Sequence, residues 1–252
     1  MNTAVSTTAG PLIQIKSVSK IYQLDEVEVR ALDGIDLNME RGEYSALIGP
    51  SGSGKSTLMN ILGCLDRPTM GSYLLSGQEV VNMTRDQRAR IRNEHIGFVF
   101  QNFNLLARTS ALENVELPLM YGAAISAKQR RDRAKDMLAL VGLSDRLDHH
   151  PGQLSGGQQQ RVAIARALAT DPSILMGDEP TGNLDSKTSR EVIELFRKLN
   201  EERCLTVILV THDVSVARNT RRNIVLSDGK IIADTFDHES ASLALKNSQE
   251  LV

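Results

Sequence analysis

The chain has no tryptophan, and Phe, Trp and Tyr together make up 4 % of its residues. So thin an aromatic complement leaves no platform on which successive nucleic-acid bases could stack. A formal net charge of −2 provides no general attraction to a polyanion either. Nucleic acid is therefore not an expected partner. The two cysteines, Cys64 and Cys204, stand far apart in no metal-binding or redox spacing. Both sit in apolar stretches, which predicts buried thiols in a reducing compartment. No apolar run approaches the ~20 residues that span a bilayer. The longest is Leu205-Thr206-Val207-Ile208-Leu209-Val210. Any role at a membrane is expected to be peripheral, through a partner. Residues 1–11 have neither a basic start nor an apolar stretch, do not read as a signal peptide and are expected to form a flexible tail.

What is present is ordinary in bulk and specific in detail. With 252 residues, 41 % of them hydrophobic and 24 % charged, the chain can bury a large core. Gly49-Pro50-Ser51-Gly52-Ser53-Gly54-Lys55-Ser56-Thr57 fits G-x-x-x-x-G-K-[ST], the loop that cradles nucleotide phosphates. Tyr44 to Ile48 reads as a buried strand before it. Leu58, Ile61, Leu62 and Leu65 recur at helical spacing after it. A strand–loop–helix context aims backbone amides and a helix N-terminus at an anion. In such a loop Lys55 reaches the β- and γ-phosphates and the Ser56 hydroxyl holds Mg²⁺.

Residues 12–23 alternate in part and suggest an edge strand; Val27 to Leu32 and Ile35 to Met39 suggest two more. Ser72 to Leu75 is a further short strand, so a small antiparallel layer is expected beside a parallel core. Asp86 to Arg92 reads as a charged helix and His95 to Phe100 as a buried strand ending at Gln101. From about 102 to 170 the pattern is helical. Ser126 with Gln129 forms a capping box ahead of Ala127, Ala134, Met137, Leu138 and Val141, and Gly142 closes that helix. Its basic residues are interleaved with acids, as on a solvated face. The strand pattern resumes at Ile174 to Gly177 and at Leu205 to Val210, the latter apolar throughout as a strand buried on both faces should be. Asp228-Gly229 between two β-rich runs marks a hairpin. One short helix is expected around Ser242 to Leu245.

Asp178 ends the first of those resumed strands, where a phosphate-loop protein keeps the acid that organises Mg²⁺. Glu179 beside it is either a solvated acid or the general base that polarises an attacking water, and the phosphate loop favours the base. His212 and Gln101 also follow strand ends, where ligands sit in open α/β sheets. By position alone His212 is either a loop histidine or a donor to the γ-phosphate, and Gln101 either a strand-end amide or a group that reaches Mg²⁺ or the water. Leu154-Ser155-Gly156-Gly157-Gln158 precedes a helix bearing Val162, Ile164, Ala165, Leu168 and Ala169. It is a plain N-cap or a second anion site. Two phosphate-directed helix ends in one chain suggest a head-to-tail dimer in which each copy caps the other's nucleotide.

With those residues in view, the chain closely resembles the ATPase subunit of ABC transporters over roughly residues 12–236. The resemblance rests on Tyr22, the phosphate loop, Gln101, the Leu154–Gln158 segment, Asp178-Glu179, Asn183-Leu184-Asp185 and His212, in that order. It implies an α/β fold with a P-loop NTPase core, a mainly parallel sheet, a small antiparallel layer and an inserted helical subdomain over about 102–170. It implies ATP and Mg²⁺ as ligands, with Ser56, Gln101 and Asp178 on the metal. It implies that Tyr22 stacks on adenine, that Ser155 and Gly157 contact the γ-phosphate of a partner copy, and that Asp185 couples the two sites while also capping its helix. The helical stretch resembles the part that docks integral membrane permease subunits, which places such a protein on the inner face of the cell membrane. Gly63 to Pro68, Phe100 to Leu106 and Gly182 to Ser186 resemble the macrolide-exporter and lipoprotein-releasing group, which drives export or mechanotransmission. The alternatives are an ATPase of amino-acid-type uptake and a soluble ABC protein. The short interval from Lys55 to Leu154 leaves no room for the long coiled coil of DNA-repair types.

Overall fold

In the structure, a computed structural model, residues 10–25, 27–122 and 125–249 are described. Most of the expected tail at 1–11 lies outside them. β1 (Ile13–Leu24) and β2 (Val27–Met39) form a long antiparallel pair, then β3 (Tyr44–Ile48) leads through the Gly-rich loop into α1 (Lys55–Leu62). β4 (Met70–Leu75) and β5 (Gln78–Glu79) complete a four-stranded sheet of order β2-β1-β4-β5. β1 is thus an interior strand, not an edge: its partial alternation comes from register shifts between Ile15 and Ile21. The two strands expected at 27–39 are one bent strand. Leu65 lies beyond α1 and is 45 % exposed, because the helix ends at Gly63 before its apolar stripe reaches that residue.

α2 (Arg85–His95) starts at a Thr84–Gln87 capping box and leads into β6 (Ile96–Phe100). A helical layer follows: α3 (Ala111–Glu116), α4 (Ala127–Leu140) and α5 (Gly156–Leu168). The Ser126–Gln129 box caps α4 as its sequence predicts, and Ala134, Met137 and Leu138 are buried, while Ala127 in the first turn is exposed.

β7 (Ile174–Asp178), α6 (Ser186–Arg203), β8 (Thr206–Thr211) and the short α7 (Val214–Ala217) come next. β9 (Arg222–Ser227) and β10 (Lys230–Thr235) then form the expected hairpin over Asp228-Gly229. The second sheet has the order β10-β9-β3-β8-β7-β6, parallel except for β10. Every residue of β8 is buried. Its side chains alternate across the sheet: Val207 and Leu209 join the helical layer's core with Leu175, Val192 and Phe196, while Ile208 and Val210 join the core shared with α1 and the antiparallel sheet. α8 (His238–Gln249) is longer than the helix expected near 242–245, and Ala241 and Leu245 bury it against Ile48 and Val225. Cys64 is buried as expected, but Cys204 is exposed. It sits at the left-handed C-cap of α6, where the chain leaves the helix one residue before the buried run begins. No described helix is long and apolar enough to cross a membrane.

Candidate active site

β3 ends at Ile48, and the next residues wrap back to start α1 at Lys55. Gly54, the N-cap of α1, has φ 100°, a conformation that L side chains rarely adopt, and a Cβ there would stand 2.5 Å from the Ala31 carbonyl oxygen. No side chain caps α1, so its first amides stay open toward the loop. The Lys55 ammonium donates to the Gly49 and Pro50 carbonyls at 2.8 and 2.7 Å, closing the loop on itself. Burial pulls the Lys55 pKa below the ordinary lysine value, against the pull of Glu179 and Asp178, which lie near enough to oppose it. The hairpin turn clamps the loop from the far side: the Gly229 amide donates to the Ser53 carbonyl at 3.0 Å. The result is a pocket of about 360 Å³ lined by Val29 to Ala31, Gly52 to Thr57, and Asp228-Gly229. Inside the loop, the buried Ser53 hydroxyl has no hydrogen-bond partner among the described residues.

The parallel register brings the remaining groups to the same edge. Ile48 pairs with Thr211, Asp178 with Val210, and Phe100 with Asp178, so His212, Glu179 and Gln101 all emerge beside the phosphate loop. Glu179 is the most constrained of them. Its φ is 45°, a left-handed value that costs a non-glycine residue about 1–2 kcal/mol. Such strain is a mark of functional sites. One carboxylate oxygen accepts from the Thr211 hydroxyl at 3.0 Å; the other meets His212 Nδ1 at 2.6 Å and the His212 amide at 3.0 Å. The Glu179 side chain is 19 % exposed and that of His212 is 74 % exposed, so the pair spans the boundary between the sheet edge and solvent. Beside it, the Asp178 pKa is raised by burial first and by Glu179 second, with Lys55 opposing, and its carboxyl has no hydrogen-bond partner among the described residues. The Gln101 amide nitrogen points to Asn183 Oδ1 at 3.4 Å, and Asn183 Nδ2 returns a bond to the Gln101 carbonyl at 3.1 Å. The sequence gives no separate role to Asn183, which it shows only within the Asn183-Leu184-Asp185 motif, or to Thr211, which directly precedes His212.

Two predicted groups stand apart from this cluster. The Tyr22 hydroxyl donates to Asp66 at 3.0 Å and Lys20 lies 4.8 Å from its ring centroid, so one face of the ring meets a cation. Burial, then Asp66, raises its pKa. Ser155 caps α5 in a box with Gln158. None of residues 154–158 lines the phosphate pocket. Gly157 is forced to be small: a Cβ would sit 2.3 Å from Thr188 Cγ2. Thr188 in turn is held by Asp185, which accepts from the Lys187 and Thr188 amides at 3.0 and 3.1 Å as the N-cap of α6. Hydrogen bonds from Thr188 hold the Asp185 carboxyl below the usual range.

No cluster of three or more His, Cys, Asp or Glu among the described residues forms an all-protein metal cage. The donors present suit a hard cation that keeps phosphate and water in its shell: one hydroxyl (Ser56), one amide oxygen (Gln101) and one carboxylate (Asp178). The unpartnered, half-buried Asp178 carboxyl fits that use.

A phosphate loop, an adjacent acid pair and a histidine on successive parallel strand ends define a nucleotide triphosphatase. A family model described as ABC transporter matches residues 32–182. The chain belongs to the ABC transporter ATP-binding family and is an ATP hydrolase of that type. It is 58 % identical over 221 residues to the macrolide export ATP-binding/permease protein MacB of Syntrophobacter fumaroxidans, covering 87 % of this chain and 31 % of that one. It is 50 % identical over 223 residues to the ABC transporter ATP-binding protein MJ0796 of Methanocaldococcus jannaschii, covering 87 % of this chain and 95 % of that one. A solved dimer of the MJ0796 cassette, in a post-hydrolysis state with ADP and Pi, superposes with a TM-score of 0.81 at 47 % identity. It covers 88 % of this chain and 97 % of that one. The chain thus spans less than a third of the MacB relative and nearly all of the MJ0796 one.

Proposed function

We propose that two copies of this chain close head to tail on ATP and that hydrolysis reopens them, driving a membrane permease in an export or mechanotransmission system. One observation carries this reading: a chain's own residues 154–158 contribute nothing to its phosphate pocket. Two anion-directed helix ends that do not meet within a chain are joined most simply by a second copy. Dimeric solved structures of the MJ0796 cassette support a second copy as the partner.

In this mechanism Lys55 exchanges the Gly49 and Pro50 carbonyls for the β- and γ-phosphates, and the loop amides from Ser51 to Thr57 cradle the anion. Ser56, Gln101 and Asp178 would hold Mg²⁺, which when bound would neutralise phosphate charge. Glu179 takes a proton from the attacking water. His212, which shares an oxygen of Glu179 in the structure, turns to the γ-phosphate and stabilises developing charge. Tyr22 offers its ring to adenine. Ser155 and Gly157, flanked by Leu154, Gly156 and Gln158, reach the partner copy's nucleotide, and Asp185 couples the two sites through Thr188. Residues 12–236 form the ATPase domain, and α8 lies against it with Ala241 and Leu245 packed on Ile48 and Val225.

The helical stretch 102–170 is the docking face for the permease, on the inner side of the cell membrane. A groove of about 1480 Å³ between α2, β6 and the helical layer supports this reading, lined by Leu117, Leu119, Tyr121 and Ile125 among charged residues. Tyr121, one of the lining residues, is 77 % exposed, and its neighbour Met120 is 60 % exposed. The MacB relatives, named as ATP-binding/permease proteins, support a permease as the partner. The test is Glu179→Gln: turnover falls by about 10³-fold, and light scattering in saturating ATP gives the mass of a dimer. A monomer under those conditions overturns both the base and the dimer.

A further inference from the structure

α5 carries a cation that the mechanism above does not use. Arg166, in its last turn, is partly buried, and burial pulls its pKa down. No carboxylate pairs with it among the described residues. Its guanidinium instead donates to two backbone carbonyls, Nη1 to Asn104 at 2.6 Å and Nη2 to Phe103 at 2.9 Å. A partly buried guanidinium that meets two backbone carbonyls and no carboxylate is a specific arrangement, since the planar fork fixes both acceptors at once. The acceptors are unusual too. Phe103 and Asn104 are consecutive non-glycine residues with φ of 61° and 49°. This double left-handed bend begins two residues after Gln101.

The bend is tied down at both ends. Toward Gln101, Asn183 Nδ2 donates to the Gln101 carbonyl and, at 2.7 Å, to Asn102 Oδ1. Beyond it, Arg166 holds the two left-handed carbonyls. Between these ties, the Phe103 ring lies within 3.8 Å of where a Cβ on Gly156 would stand. α5 therefore grips the segment after Gln101 twice, with a guanidinium from its last turn and with its first turn under the Phe103 ring.

We infer that Arg166 is a positioning residue. By holding Phe103 and Asn104 in their left-handed bend, it makes Gln101 and the Ser155–Gly157 end of α5 move as one body. A shift of Gln101 at one nucleotide then changes the aim of α5 at the other, and nucleotide binding at the phosphate loop itself is untouched. The inference rests on the roles given above to Gln101 and to Ser155–Gly157.

The experiment uses the full chain and compares Arg166→Met, Arg166→Lys and Arg166→Met combined with Asn104→Gly. Arg166→Met lowers kcat about 10-fold or more while KM for ATP stays within about 3-fold. In a Glu179→Gln background it raises the ATP concentration needed for dimers by about 10-fold. Arg166→Lys, with one compact donor group for two carbonyls, falls between. Asn104→Gly removes the left-handed penalty at its position, so it recovers at least about 3-fold of the lost kcat. A residue that served only packing would not be rescued by a glycine in the segment it touches. A folded Arg166→Met with kcat within about 2-fold of the parent overturns the inference. So does a loss that neither Lys nor the added glycine relieves. If both single variants fail to fold, Arg166 serves folding alone and the inference also fails. If Glu179→Gln by itself stays monomeric, the dimer reading is what fails, and the kcat rescue still decides the role of Arg166.

Discussion

The N-termini of α1 and α5 are built from the same materials, glycine, serine and a helix start, and finished in opposite ways. α1 begins at a left-handed glycine with no side-chain cap, its lysine folded onto the loop's own carbonyls and a buried serine hydroxyl left without a partner among the described residues. α5 begins at a reciprocal box in which the Ser155 hydroxyl accepts from the Gln158 amide at 3.3 Å and the Gln158 side chain accepts from the Ser155 amide at 2.9 Å. The first end is walled by β2 and the β9–β10 turn; Ser155 at the second is exposed. The difference separates two jobs that a Gly-rich helix start can do. An uncapped end inside a pocket is stable only by its scaffold and is completed by an anion. A capped end at the surface is complete by itself, so what it adds to a partner is shape and aim.

That contrast breaks most sharply at Lys55. Lys55→Ala should remove turnover by about 10³-fold or more, since a preorganised cation at the transferring group is lost; steady-state phosphate release measures it. Next comes Gly157→Ala. The added carbon must displace Thr188, and with it the Asp185 cap, so ATP-driven dimers of a Glu179→Gln chain should be lost about 10-fold. Binding of one nucleotide to the monomer, followed by fluorescence, should persist. The smallest effect, on the stability of the single chain, is expected at Ser155→Ala. Loss of the cap should cost about 1 kcal/mol, seen as a fall of about 2–4 °C in the unfolding temperature. A Ser155→Ala chain that unfolded at the parent's temperature would erase the distinction between a self-complete end and an open one.

Much of this was legible in the sequence because it is local. The phosphate loop, the acid pair at the end of β7, the box at Ser126 and the turn at Asp228-Gly229 are each set by residues a few positions apart. The apolar run at 205–210 announced a strand buried on both faces, and β8 is one. What stayed hidden depends on which distant backbone a side chain finds. Partial alternation marked β1 as a strand but could not say that it has a neighbour on each side. An apolar neighbourhood in sequence did not keep Cys204 inside, since a left-handed cap turned it outward. The bonds from Asn183 to Gln101 and from Arg166 to Phe103 and Asn104 join residues 82, 63 and 62 positions apart, and no periodicity reports them.

The strand order of the six-stranded sheet has a further consequence. Along the chain the reactive groups come as loop, Gln101, Asp178-Glu179, His212. Across the sheet the order is loop, His212, Asp178-Glu179, Gln101, on four successive strands, β3, β8, β7 and β6. With strands ~4.8 Å apart, they mark off a ruler of ~14 Å along one edge. Gln101 sits at the outer end of that ruler, just past an edge strand that packs against α5 of the helical layer. The residue farthest from the phosphate loop is thus the one nearest to whatever the helical layer holds.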